Sequence, residues 1–352
     1  MYTWENNIRR VEPYVPGEQP KDDNVIKLNT NENPYGPAPE VAELVKNMDT
    51  DMFRKYPDAT VSDLCEVLAA YHHVKPSQVF VGVGSDDVLA MCFMTFFNSG
   101  RNILFPDVTY SFYPVWADLL KIPYETISLK DDFTIDPEDY KKPNGGIVFA
   151  NPNAPTSILL DREKVIDIVK SNPDNIVICD EAYIDFAEEG SSVIDLVDTY
   201  DNLVVVRTFS KSRSMAGMRI GYAVAGEQLI KYLNDVKYSY NSYTMNMPSI
   251  ILGTASVKDE DYFRKTVGLI KETREWFSEE LKKLGFTVLD SSTNFVFASP
   301  SGISAKEVFK KTKEAGIYVR YFNLPRIDNY LRITIGTRAD MEKVVDFLKG
   351  IC

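Results

Sequence analysis

Residues 207–222, RTFSKSRSMAGMRIGY, set a lysine between two serines just after an apolar run, with an arginine eight positions later. Lysine belongs on surfaces, so Lys211, held among hydroxyls beside a buried segment, is a candidate nucleophile. An ammonium with the ordinary value of about 10.4 is unreactive at neutral pH. Neighbouring cations, desolvation or condensation with an aldehyde make it useful. Other reactive groups stand at similar places. Gly84, Ser85 and Asp86 follow an apolar run and open a helical pattern, where free backbone N–H groups and the helix dipole suit an anion. Asp180, with Glu181 and Tyr183 behind it, ends NIVICDEAY, while Thr208 and Ser210 lead into Lys211 and Arg219 follows. Each alone reads more readily as a β-to-α turn, a helix N-cap or a solvated cation. The first turn also lacks the third glycine of a dinucleotide loop, because Asp87 stands there.

These groups converge only if the runs carrying them lie side by side. QVFVGVG (78–84), NILFP (102–106), GGIVFANP (145–152), NIVICDEAY (175–183) and NLVVVRTFS (202–210) are short β-rich runs, with helical stretches between several of them. That is the pattern of a mostly parallel sheet covered by helices on both faces, an α/β fold, with ligands outside the carboxyl ends of its strands. One helix is TVSDLCEVLAAYH, with Ser62 or Asp63 expected at its cap. Before this sheet, residues 1–37 read as an irregular arm rich in proline and asparagine. After about residue 245 a long amphipathic helix (259–285) leads into quick short strands, a smaller α+β domain. The expected organisation is arm 1–37, large domain 38–245 and small domain 246–352.

Bulk composition narrows the chemistry. The 352 residues carry a net charge of −12, which argues against nucleic acid, and no basic run marks a membrane surface. DVLAMCFMTFF (87–97) is too short to span a bilayer, and the N-terminus lacks a signal-peptide core. The four cysteines have no metal-ligand spacing, and the two histidines, His72 and His73, are adjacent, which suits neither a zinc site nor a Ser-His-Asp triad. A soluble, reduced, cytoplasmic protein without a metal is expected.

One cofactor uses the whole constellation. Pyridoxal phosphate offers an aldehyde to Lys211, a phosphate to the N–H cradle and Arg219, and a ring nitrogen kept protonated by a buried carboxylate; Tyr183 can donate to its phenolic oxygen. The residues also carry a resemblance. LNTNENPYGP (28–37), NPNAPTS (151–157), CDEAYIDF (179–186), RTFSKSRSMAGMRIGY and YLRITIGT (330–337) resemble, in order, the motifs of the histidinol-phosphate aminotransferase family, fold-type I pyridoxal-phosphate enzymes. The resemblance implies that Lys211 binds the cofactor's aldehyde and shuttles the substrate proton. It assigns the ring nitrogen to Asp180, the phenolic oxygen to Tyr183 and ring stacking to Tyr110. The phosphate falls to the cradle of Gly84, Ser85 and Asp86 with Thr208, Ser210 and Arg219. It further implies a homodimer in which Tyr56 reaches the partner's cofactor. Substrate contacts fall to Tyr14, Asn33, Asn153, Arg320 and Arg332. Among these, Arg332 takes glutamate's carboxylate, and Arg320 with Tyr14 takes the phosphate of histidinol phosphate.

The arginine pair has a second basis. A hairpin turning near Arg326 sets Arg320 opposite Arg332, and like charges facing across strands destabilise unless an anion joins them. Two departures stand out. NPNAPTS has Ala154 before Pro155 and Ser157 for the family's glycine, leaving Asn153 as the asparagine expected to support the cofactor oxygen. Residues 237–249 lack the proline-led segment expected beside the substrate. The expected reaction moves an amino group between glutamate and imidazole-acetol phosphate. An aromatic aminotransferase and a phosphothreonine decarboxylase use the same catalytic residues and stay open, and a nucleotide-binding oxidoreductase leaves Lys211 unexplained.

Overall fold

Short runs, mostly apolar, too short for a helix and buried on both faces, form all of the central sheet but one edge strand. In the computed structural model, which describes residues 3–22 and 24–352, the arm leads into β1 (Ile26–Lys27). The chain continues through α1 (Pro39–Lys46), α2 (Ser62–His72), β2 (Val79–Gly82), α3 (Ser85–Phe96), β3 (Ile103–Pro106), α4 (Phe112–Leu120) and β4 (Tyr124–Ile127). Next come β5 (Ile147–Ala150), α5 (Arg162–Lys170), β6 (Val177–Asp180), β7 (Leu203–Thr208), β8 (Gly221–Ala225), α6 (Glu227–Tyr240) and α7 (Met247–Lys258). The remainder is α8 (Glu260–Lys283), β9 (Thr287–Val288), β10 (Phe295–Ser299), α9 (Ala305–Glu314), β11 (Ile317–Tyr318), β12 (Arg320–Tyr321), β13 (Leu331–Thr334) and α10 (Arg338–Lys349).

The seven-stranded sheet runs β2-β8-β7-β6-β5-β3-β4. Only β8 is antiparallel to its neighbours, so the ends of β2, β6 and β7 still point the same way. Alternate residues of β6 and β7 feed two cores. Cys179 and Val205 join the side of Leu64, Val165 and Leu252, while Ile178 and Val204 join the side of Leu89, Trp116 and Leu233. The expected α/β architecture is therefore present.

Three details differ from expectation. Two strands are absent from the sequence expectation: β4, an exposed edge with no apolar run, and β8, which follows the polar stretch holding Lys211 and Arg219. Neither Ser62 nor Asp63 caps α2; Asp58 accepts from Ser62 N at 2.8 Å and Thr60 N at 2.9 Å instead. The division at 245/246 falls too early, because Ile250, Leu252 and Ala255 of α7 pack in the large-domain core. The crossing comes at Asp259, whose carboxylate caps α8, and α8 then gives Ile270, Phe277 and Leu281 to the small-domain core.

The small domain has a sheet ordered β12-β13-β10-β9, with α8 packed on β9 and β10 and α10 packed on α8. The arm docks on it: β1 pairs in parallel with β11, and Leu28 is buried in the same core.

Candidate active site

Strand ends and arm enclose two adjoining cavities, of about 180 and 140 Å³, that share Thr30, Tyr110, Ala154, Tyr183 and Lys211 in their walls. The larger lies at the carboxyl ends of β6 and β7 and the start of α3. Asp180 ends β6 at 4 % exposure, accepting from Tyr113 Oη at 3.0 Å and Ala182 N at 3.2 Å. Burial pushes its carboxyl up to about 7, with Asp86 and Glu181 adding to the rise. The groups acting most strongly on it include no cation, so a buried carboxylate faces the cavity awaiting positive charge. Glu181 instead faces away and pairs with Arg207 at 2.9 Å. Arg207 also holds Asp185, which accepts from Ser212 Oγ at 2.5 Å, so an internal charge network braces the segment beside Lys211.

Lys211 is half-buried; its Nζ donates to Thr30 O at 3.2 Å and lies 5.6 Å from the centre of the Tyr183 ring. The opposite wall is the first turn of α3, where Ser85 and Asp86 carry backbone N–H groups with no helical acceptor behind them. Arg219 leans over this turn, 3.6 Å from the Asp86 carboxylate, and Tyr110 Oη donates to Asp86 at 2.7 Å. Gly84 is required here. Its φ is +87°, and a Cβ would lie 2.4 Å from Arg219 Nη2. Ser210 lines the same cavity, whereas Thr208 does not touch it but accepts from Ser210 N at 3.1 Å and shapes the turn.

The smaller cavity is walled by the arm and the small domain. Arg320 of β12 stands directly opposite Arg332 of β13, the expected register. Both guanidiniums lie over the Phe322 ring, at 5.7 and 5.6 Å. Arg332 Nη2 donates to Asn29 O at 3.0 Å, but its Nε is shut from solvent with no partner among the described residues. Desolvation, the larger cause, and the charge of Arg320 both pull Arg332 below the usual guanidinium range. Tyr14 reaches the same cavity from the arm, stacked on Phe112 with ring centres 4.2 Å apart. Arg326 locks the connecting loop to the large domain through Asp107 at 2.9 Å. The arrangement can hold an amine beside a buried carboxylate and grip a dianion next to both.

Asn153 and Asn33 are placed otherwise than expected, and Tyr56, expected to serve a partner's site, lies away from the cavities of its own chain. Asn153 faces neither cavity: its amide donates to Val108 O and Thr156 Oγ1, both at 2.9 Å, and Ala154 lines the walls instead. Asn33 spends its amide on Lys211 O at 3.0 Å and Ser212 O at 3.1 Å, and its oxygen on Tyr35 N. It braces the lysine segment rather than facing substrate. Tyr56 is 81 % exposed, leans on Tyr243 with ring centres 4.7 Å apart, and lines neither cavity of its own chain. Sequence reasoning missed Thr30, Asn31, Tyr113 and Phe322. An irregular arm has no periodicity to flag Thr30 or Asn31, and Tyr113 reads as an ordinary apolar helix position.

The family model for aminotransferase class I and II matches residues 23–348. A histidinol-phosphate aminotransferase of Brachyspira hyodysenteriae is 51 % identical over 98 % of this chain and 98 % of its own. One from Lactococcus lactis subsp. cremoris is 49 % identical over 99 % and 97 %. The fold matches a Sinorhizobium meliloti histidinol-phosphate aminotransferase solved with pyridoxal-5'-phosphate, with TM-score 0.85 and 22 % identity over 93 % of this chain and 92 % of that one. The chain belongs to the class I and II aminotransferases and, within them, to the histidinol-phosphate aminotransferase family.

Proposed function

We propose that this protein is a pyridoxal-phosphate-dependent aminotransferase of histidine biosynthesis, moving an amino group between glutamate and imidazole-acetol phosphate. The single observation carrying the substrate reading is the facing pair Arg320 and Arg332, next to Tyr14 and one cavity away from Asp180. Two like charges across a strand pair need an anion between or beside them. Glutamate brings carboxylates and the other substrate brings a phosphate, so one cationic end serves both in turn.

The residues present fit the cofactor. When bound, pyridoxal phosphate supplies an aldehyde for the amine and a protonated ring that withdraws electrons. Asp180 is the group for the ring nitrogen, because burial leaves it without a cation of its own. Tyr183 serves the phenolic oxygen, Tyr110 the ring face, and the turn of Ser85 and Asp86 with Ser210 and Arg219 the phosphate. Lys211, on the cavity wall beside Tyr183, would hold the aldehyde and, once displaced by the incoming amine, would be the free base that moves the proton at the substrate's α-carbon. Arg332 orients glutamate, and Arg320 with Tyr14 the phosphorylated substrate.

The reading includes a cytoplasmic homodimer whose subunits share their sites. The position of Tyr56, exposed and away from its own cavities, supports the sharing. Four unpaired cysteines suit a reducing compartment. The test is an absorption titration of the purified protein with pyridoxal phosphate, followed by glutamate and histidinol phosphate separately. Loss of the visible band with both amines is expected. Loss with glutamate alone would assign another keto acid, and no band at all would overturn the reading.

A further inference from the structure

The direction of one proton in the site is set by a chain of hydrogen bonds starting at a backbone N–H. Asn31, 1 % exposed, donates that N–H to Thr334 Oγ1 at 3.0 Å. A backbone N–H can only donate, so the threonine oxygen accepts there and keeps its own proton to give. Thr334 Oγ1 lies 3.1 Å from Asn31 Oδ1, and Asn31 Nδ2 lies 2.9 Å from Tyr183 Oη. Turning the amide over would leave the hydroxyl proton of Thr334, 2 % exposed, without this acceptor. Thr334 therefore donates to Oδ1, and Nδ2 donates to Tyr183. A phenol has one proton, and an oxygen already accepting from Asn31 must send that proton elsewhere.

We infer that Asn31 is a positioning residue that, through Thr334 and its own amide, forces the Tyr183 hydroxyl to donate into the cavity. This rests on the proposed use of pyridoxal phosphate, whose phenolic oxygen is the acceptor Tyr183 faces. The inference gains weight from Asn153, whose amide is committed to Val108 and Thr156. With Ala154 rather than Asn153 at the wall, Asn153 does not share the task. Asn31 itself has φ 57°, a left-handed conformation that asparagine tolerates well. The chain of bonds also crosses all three parts of the molecule: arm, last strand of the small domain, and large domain. Arm docking thereby sets the polarity of a catalytic phenol. Among the described residues, Lys211 stands 5.6 Å from the ring of this phenol, and Tyr110 and Arg332 lie close enough to feel it.

Asn31→Asp keeps the size and the tolerated conformation but turns the donor into an acceptor, which draws the Tyr183 proton out of the cavity. A donor to the ring oxygen makes that oxygen less basic and loosens the proton shared with the bound amine. Its loss should raise the pH midpoint of the visible band by about one unit, a tenfold change in the proton equilibrium. Tyr183→Phe should raise it similarly. The deciding measurement is Asn31→Asp in the Tyr183→Phe background, where little further shift is expected. A full additional shift there would show that the new charge acts directly and would overturn the inference, as would an unchanged midpoint in the single variant. Asn31→Gly, which suits φ 57°, keeps the test open if the aspartate variant does not fold. It should move the midpoint in the same direction by less, and no movement overturns the inference. Wild-type protein that forms no visible band would instead sink the proposed function itself.

Discussion

The two cavities share a wall but are built by different rules. The larger is a product of the parallel sheet: Asp180, Ser210 with Lys211, and Ser85 sit where β6, β7 and β2 run out, each delivered by a fully buried strand. The smaller is assembled from the arm and a hairpin of the small domain, with contacts such as Asn29 O on Arg332 and Thr30 O on Lys211 coming from irregular chain. Rigid strand ends suit groups that must stay in place through both half-reactions, whereas the arm-and-hairpin end must accept two anion patterns. The same division separates the expected failures: damage at the sheet end should abolish chemistry, and damage at the arm end should change what is accepted.

The largest effect belongs to Lys211. Lys211→Ala should abolish covalent capture of the cofactor and lower turnover by on the order of 10⁴-fold or more, with the fold unchanged. Borohydride trapping followed by peptide mass mapping checks this; label retained elsewhere in the variant would remove Lys211 from its role.

Asp180 makes the cost of the sheet end measurable in the apoprotein. Its folded value stands near 7 against 3.8, so the native chain holds this proton more tightly than the unfolded one. Between about pH 4 and 7 the native state binds more protons, and the group's contribution to stability falls as pH rises. A shift of about three units corresponds to roughly 4 kcal/mol as an upper figure. Asp180→Asn apoprotein should match wild type near pH 4 and become the more stable protein by neutral pH, while losing cofactor affinity. Urea unfolding at both pH values decides; equal slopes for the two proteins would mean the carboxylate is not strained by burial.

At the other end, Arg320→Ala should weaken histidinol phosphate by about 10- to 100-fold, the range of a charge-assisted hydrogen bond or two, and glutamate far less. Equal losses for both substrates would merge the two arginines into one undivided anion site. KM values for each substrate give the answer.

What could be read from the chain follows the same division. Asp180, Lys211 and Arg219 were legible because each ends or follows a β-rich run, and the Arg320–Arg332 register followed from hairpin length alone. Strand β8 was not, since five apolar residues after a polar loop carry no sign of direction. Asn33 and Asn153 were misplaced for a different reason. An asparagine bonds backbone and ligand with the same atoms. Only the fold shows that Lys211 O and Ser212 O have claimed the amide of one, and Val108 O and Thr156 that of the other. The boundary at 245/246 failed because α7 is apolar almost all round, and nothing in its pattern says which of two cores it enters.

The smallest single effect is expected at Tyr56, yet it tests whether the sheet end is complete within one chain. A phenol lost from a phosphate contact should cost about tenfold in cofactor affinity. The sharper form uses two defective proteins. If Tyr56 serves the neighbouring site, a hybrid of Lys211→Ala and Tyr56→Phe subunits contains one site with both its lysine and a native tyrosine, that tyrosine coming from the lysine-less subunit. Mixing and refolding the two variants should then return cofactor affinity at the lysine-bearing sites of hybrids to the wild-type value. If Tyr56 acts only on its own chain, those sites keep the weakened affinity whatever the partner, and the larger cavity must be regarded as finished by the residues of a single subunit.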